Sequence, residues 1–110
     1  MNTEYVWIGH DNIINLILKV DGVAQDMSDI TKITLSIDLL LISSTNLVTD
    51  KILWNKGGYA AGEIRLQLGE VSGLAAGRHD AVLTVYDATN TDGIVWGIVP
   101  LMIKADPEAA

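Results

Sequence analysis

Residues 77–104, GRHDAVLTVYDATNTDGIVWGIVPLMIK, decide how the chain reads. From Asp80 to Tyr86, apolar Ala81, Leu83 and Val85 alternate with Val82, Thr84 and Tyr86, the period of two that sends successive side chains to opposite faces of a strand. Asp87, Ala88, Thr89, Asn90, Thr91, Asp92 and Gly93 then supply turn chemistry. A β-branched and aromatic run from Ile94 to Ile103 returns. The stretch predicts an antiparallel hairpin.

The same alternation recurs on either side. Tyr5 to Ile8 reads as a short first strand stopped at Gly9, His10, Asp11 and Asn12. Residues 13–20 form a longer one, with Ile14, Leu16, Leu18 and Val20 on an apolar face and Ile13, Asn15, Ile17 and Lys19 on a mixed one. Asp21-Gly22 is a tight-turn signal. Residues 23–28 then cross an edge, and residues 30–38 alternate again through Ile33, Leu35 and Ile37. Leu39 to Ile42 reads as that strand continuing into a loop. One or two short strands lie in 47–54, broken near Thr49-Asp50, and Asn55, Lys56, Gly57 and Gly58 follow as a flexible connection. Residues 63–68 place Ile64, Leu66 and Leu68 inward and Glu63, Arg65 and Gln67 toward water. Residues 70–74 offer at most one helical turn. Residues 105–110 have no apolar period and are expected to form a flexible tail.

Seven to eight short antiparallel strands, turn signals every ~8–12 residues and no helix of ordinary length predict an all-β fold: one domain over residues 1–104, built as an immunoglobulin-like two-sheet β-sandwich. A small closed barrel satisfies the same alternation. The register places Leu16, Leu18, Leu35, Ile37, Ile64, Leu66, Leu83 and Val85 in the core.

Composition narrows the function. The 110 residues suffice for a core without metal or disulfide staples, and there is no cysteine. Apolar residues make up 49% of the chain, yet no run nears the roughly 20 that span a bilayer. The first residues show no basic segment leading into an apolar one, so synthesis in the cytoplasm without membrane insertion is expected. Seven basic and fourteen acidic residues give a net charge of −7, which repels phosphate backbones and argues against nucleic acid as a partner.

Catalytic signals are thin. Each of the two histidines precedes an aspartate, in His10-Asp11 and His79-Asp80, but adjacent residues of an extended segment point to opposite faces and do not converge on a metal. No serine sits in a G-x-S-x-G elbow. Asp87, Thr89, Asn90 and Asp92 could offer oxygens to calcium, but the sixth position of that loop is Asp92 where a helix-loop-helix site needs glycine. Trp7, Trp54 and Trp96 with Tyr5, Tyr59 and Tyr86 could build a sugar-stacking platform, though no spacing gathers them. No enzyme activity, cofactor or metal is expected.

Two segments suggest a family. Asp11 to Ile37, with the Lys19-Val20-Asp21-Gly22 turn and the Gln25-Asp26-Met27-Ser28 crossing, resembles the start of small immunoglobulin-like domains of bacteriophage tail and baseplate proteins, such as the N-terminal domain of baseplate upper proteins. Gly62 to Leu68, then Leu74-Ala75-Ala76-Gly77 and the hairpin, is similar to their second half. The resemblance implies a non-enzymatic virion structural protein (tail, baseplate or neck adaptor, or capsid decoration) that binds other virion proteins in a symmetric multi-copy assembly. A carbohydrate or cell-surface binding module is the alternative. Where such domains carry tyrosine two residues after a glycine, this chain has His79 after Gly77. A structural corner of Leu74, Gly77 and His79 is expected, with the ring as a neutral donor to a carbonyl within 71–75. The last strand is apolar on both faces, Val95, Val99, Leu101 and Ile103 on one and Trp96, Ile98 and Met102 on the other. Only one can pack inside, and the set Val95, Val99, Leu101 and Ile103 is the candidate partner surface.

Overall fold

The computed structural model describes residues 3–10, 13–69, 71 and 73–105. Ten strands follow in order: β1 (Glu4–Trp7), β2 (Ile13–Ile17), β3 (Lys19–Val20), β4 (Val23–Ala24), β5 (Ile30–Ile37), β6 (Leu40–Ser44), β7 (Ile52–Trp54), β8 (Glu63–Gln67), β9 (Gly77–Asp87) and β10 (Ile94–Lys104). The described residues contain no helix. They form a five-stranded sheet ordered β1-β10-β9-β5-β6, a three-stranded sheet ordered β2-β8-β7, and the two-stranded β3-β4 ribbon.

Alternation builds the interior. Ile14, Leu16, Ile52, Trp54, Ile64 and Leu66 from the three-stranded sheet join Ile33, Leu35, Ile37, Leu83, Val85, Val99, Leu101 and Ile103 from the five-stranded one in a single buried cluster. All eight core positions expected from the register are buried there. The hairpin of β9 and β10 is antiparallel, as expected. Its loop is held by Asp87, whose carboxylate accepts the backbone amides of Thr89 at 2.9 Å and Asn90 at 2.6 Å. Asp21 and Gly22 take φ of 51° and 80° in the two-residue β3-β4 turn, the left-handed pair that such a turn demands.

Several details depart from the sequence reading, beginning with ten strands where seven to eight were expected, because the strand expected over residues 13–20 is split into β2 and β3 and leaves Val20 exposed. The strands are not all antiparallel, since β1 runs parallel to β10, pairing Glu4 with Leu101 and Trp7 with Lys104. Nor are all of them short, because β9 and β10 have eleven residues each. Leu39 does not continue the third strand: Asp38, at φ 52°, turns the chain with it, and β6 folds back antiparallel on β5. Glu63 does not face water either. It is 8% exposed, with one carboxylate oxygen accepting the Ala60 amide at 3.0 Å and the other the Arg65 guanidinium. The first of these bonds and then the second hold its pKa below the ordinary carboxylate value. The expected tail lies outside the described residues beyond Ala105, as do Glu70 and Ser72 of the proposed helical turn and Asp11 of the first His-Asp pair.

The passage from one sheet to the other is clamped by side chains. Asn46 donates from Nδ2 to the Trp54 carbonyl at 2.7 Å and accepts the Trp54 amide on Oδ1 at 3.0 Å, replacing two ladder bonds. Asp50 accepts the amides of Thr45 and Leu47 at 3.1 and 3.0 Å. These bonds seat Trp54 in the core although β7 is only three residues long.

Candidate functional site

Two places were expected to matter, the last strand and the corner before β9. On β10 the expected period breaks. Val95 lies opposite Thr84 and Gly97 opposite Leu83, so Trp96 is an extra residue in a bulge. Every residue before the bulge therefore changes face. Val99, Leu101 and Ile103 are at most 2% exposed in the core, whereas Val95 is exposed on the other side. As a partner surface, the set Val95, Val99, Leu101 and Ile103 is thus corrected: three of its members are interior and unavailable to a partner.

The exposed apolar side chains lie on the opposite face of the same sheet. Ile98 pairs with Val82, which pairs with Ser36, which pairs with Leu41. Ile98 is 55% and Leu41 63% exposed. Tyr5, paired to Met102, and Trp7 extend this face across β1, and both are exposed. An outer face with so many large apolar groups is more than isolated apolar residues on a surface. Alternation separates Ile98 and Met102 from Val99, Leu101 and Ile103, but which set faces outward depends on the strands that pair beside β10 and on the sheet packed against it.

The corner is formed as its spacing suggests, with one addition. Gly77 takes φ 128°, a conformation that side chains oppose, and open space surrounds it. Two residues on, His79 Nε2 lies 2.9 Å from the Ala75 carbonyl, inside the 71–75 window, and Leu74 packs half-buried against the core. The addition is Asp38, whose Oδ2 lies 2.7 Å from His79 Nδ1. The ring thus meets two acceptors instead of one. A neutral imidazole donates to only one of them, and the doubly protonated ring to both. No local signal in the sequence joins Asp38 to His79, because the contact depends on the β5-β6 turn reaching β9.

A cleft of about 350 Å³ lies beside this corner, lined by Leu39, Leu40, Leu74, Asp38 and His79. Its polar groups are engaged with one another. Both ring nitrogens of His79 face oxygen partners, so neither is placed to take a proton from a ligand. Asp80 points to the other face, opposite Pro100, and His79 and Asp80 do not converge. In the 87–93 loop the Asp87 carboxylate is occupied by backbone and side-chain donors of Asn90 and by Thr89. The Asn90 amide, then its side chain, lowers the pKa of Asp87.

The aromatic residues are dispersed. Trp54 is core, Trp96 packs against the core, Tyr86 lies under the Lys32 ammonium at 4.2 Å and Tyr59 under the Arg65 guanidinium at 4.0 Å. Only Tyr5 and Trp7 share an exposed strand face. No protein-family model matches this chain, and no curated protein matches it.

Proposed function

We propose that the chain is a non-enzymatic structural component of a bacteriophage virion, an immunoglobulin-like two-sheet sandwich that acts through contacts with other virion proteins. The exposed apolar outer face of the five-stranded sheet carries this reading. Tyr5, Trp7, Leu41 and Ile98 stand on that face, and a surface of this kind is stable in water when a partner covers it.

The fold assignment draws on strand order. Sheets ordered β2-β8-β7 and β10-β9-β5-β6 correspond to the B-E-D and G-F-C-C′ layers of an immunoglobulin-like domain, with β1 alongside the last strand. The His79 bond to Ala75 lies at the start of β9, where such domains place a tyrosine corner. The resemblance of residues 11–37 and 62–93 to tail and baseplate domains supplies the virion setting. The reading covers a tail, baseplate or neck adaptor and a capsid decoration protein alike.

The test is the composition of purified particles. Mass spectrometry should find the chain at a fixed stoichiometry to the other structural proteins, and labelled antibody should mark one position on the particle. Absence from particles, together with specific retention on a glycan array that is lost in Trp7→Ala, would replace this reading with that of a carbohydrate-binding module.

A further inference from the structure

We infer that β2 is a dimerisation seam, at which the open edge of the three-stranded sheet pairs antiparallel with β2 of a second copy and merges the two sheets into one. The observation is a strand that mirrors itself. The outward side chains of β2 are Ile13, Asn15 and Ile17, all exposed, so the water-facing pattern reads the same in both directions about Asn15. A strand of this kind meets an antiparallel copy of itself like with like.

The backbone agrees. Leu18, next to the Ile17–Glu63 pair, points its amide toward the β8 side, donating to the Gly62 carbonyl at 2.8 Å, and Gln67 turns its own amide to the β7 side, donating to the Lys51 carbonyl at 2.8 Å. Bonded and non-bonded pairs alternate along an antiparallel ladder. Leu16 with Ile64 and Ile14 with Leu66 are therefore bonded, which turns the N–H and C=O groups of Ile13, Asn15 and Ile17 away from β8 to the open edge. The β3-β4 ribbon leaves that edge free, because Gln25 reaches Leu18 on the carbonyl that points toward the β8 side. A twofold axis at Asn15 sets Asn15 against its copy and Ile13 against Ile17 at both ends. Each pair then exchanges two backbone bonds, the isoleucines cover one another, and the asparagine amides stand within hydrogen-bonding reach.

Charge selects a second copy as the occupant. The molecule carries −7 overall, yet residues 13–18 hold no charged side chain, so two copies can meet here without opposed like charges at the seam. The edge also lacks what keeps strands apart: it has no proline, no lysine and no break in register along the β2-β8 ladder. By contrast, β1 carries Glu4 and β7 has three residues. Among the described edges of the two larger sheets, β6 alone is as unguarded, and its outward Leu41 and Ser43 do not mirror each other. The seam would serve the multi-copy assembly proposed above, but it is read from one strand and tested in solution, whereas particle composition tests the virion role.

Sedimentation equilibrium of the full chain over a wide concentration range should give a species of twice 11.8 kDa. Asn15→Lys sets two ammonium groups face to face and should raise the dimer dissociation constant about tenfold or more, while Asn15→Thr and Leu41→Lys leave it unchanged. Hydrogen exchange should show the Ile13, Asn15 and Ile17 amides protected in the dimer and exposed in Asn15→Lys, with the core amides of β9 unchanged as evidence that the variant is folded. A chain that stays monomeric at millimolar concentration, or a dimer broken by Leu41→Lys and indifferent to Asn15→Lys, overturns the proposal.

Discussion

Replacing Leu83 by alanine removes three carbons from the middle of β9, the strand paired with β10 on one side and β5 on the other. Leu83 is fully buried and lies opposite Leu35 on β5 and Gly97 on β10. Transfer of the lost carbons costs about 2.4 kcal/mol at ~0.8 kcal/mol each. The void adds to this. Gly97 has no side chain to move inward, and Leu35 is held by its own ladder, so little collapse is available. A residual cavity on the order of 80 Å³ adds about 2 kcal/mol at ~24 cal/mol per Å³. The expected loss is about 4 kcal/mol, a large part of the roughly 5–15 kcal/mol that holds a domain of this size together. Urea unfolding followed by fluorescence of the buried Trp54 should show the midpoint falling with little change in slope. Leu41→Ala, on the exposed face, should stay within about 0.5 kcal/mol as a control. A loss under about 1 kcal/mol for Leu83→Ala would mean that β9 is not central, and the register argument would fail with it.

Three further outcomes are expected. His79→Tyr should give up Asp38, so the cost of Asp38→Ala, part of which is alanine at the positive φ of that turn, should fall by up to about 1 kcal/mol beside it in urea unfolding; an unchanged Asp38 effect would show that the pair contributes nothing. The carboxylates of Asp26, Glu63 and Asp87 are all held below their ordinary pKa, led by the amides of Ser28, Ala60 and Asn90 respectively. Groups depressed on folding contribute stability above their unfolded pKa and lose it as pH falls through the folded one, so the melting temperature should drop on acidification below about pH 5; a rise over that interval would contradict it. Asn46→Ala removes both bonds to the Trp54 backbone and should cost about 2–3 kcal/mol, read by urea unfolding, and a change within about 0.5 kcal/mol would show that water replaces the clamp.

By itself the sequence determined what depends on near neighbours. Period two in 80–86 and 63–68 decides which side of each strand is apolar, and burying that side is the main gain on folding, so Leu83, Val85, Ile64 and Leu66 end in the core. Asp21-Gly22 turns tightly because such residues accept positive φ. Gly77 and His79 make their corner within five residues of chain. What the tertiary structure alone decided are relations between distant segments. The bulge at Trp96 arises from how β10 registers on β9, and it parted Val95 from Val99, Leu101 and Ile103, with which strict alternation groups it on one face. The parallel seat of β1 on β10 brings the two ends of the described chain together, which no local pattern specifies. Asp38 met His79, and Glu63 turned inward to Ala60 and Arg65, because a polar group's environment depends on what folds over it. Alternation settles which face of a strand is apolar; only pairing settles which strand lies beside it, and therefore which apolar face is left for a partner.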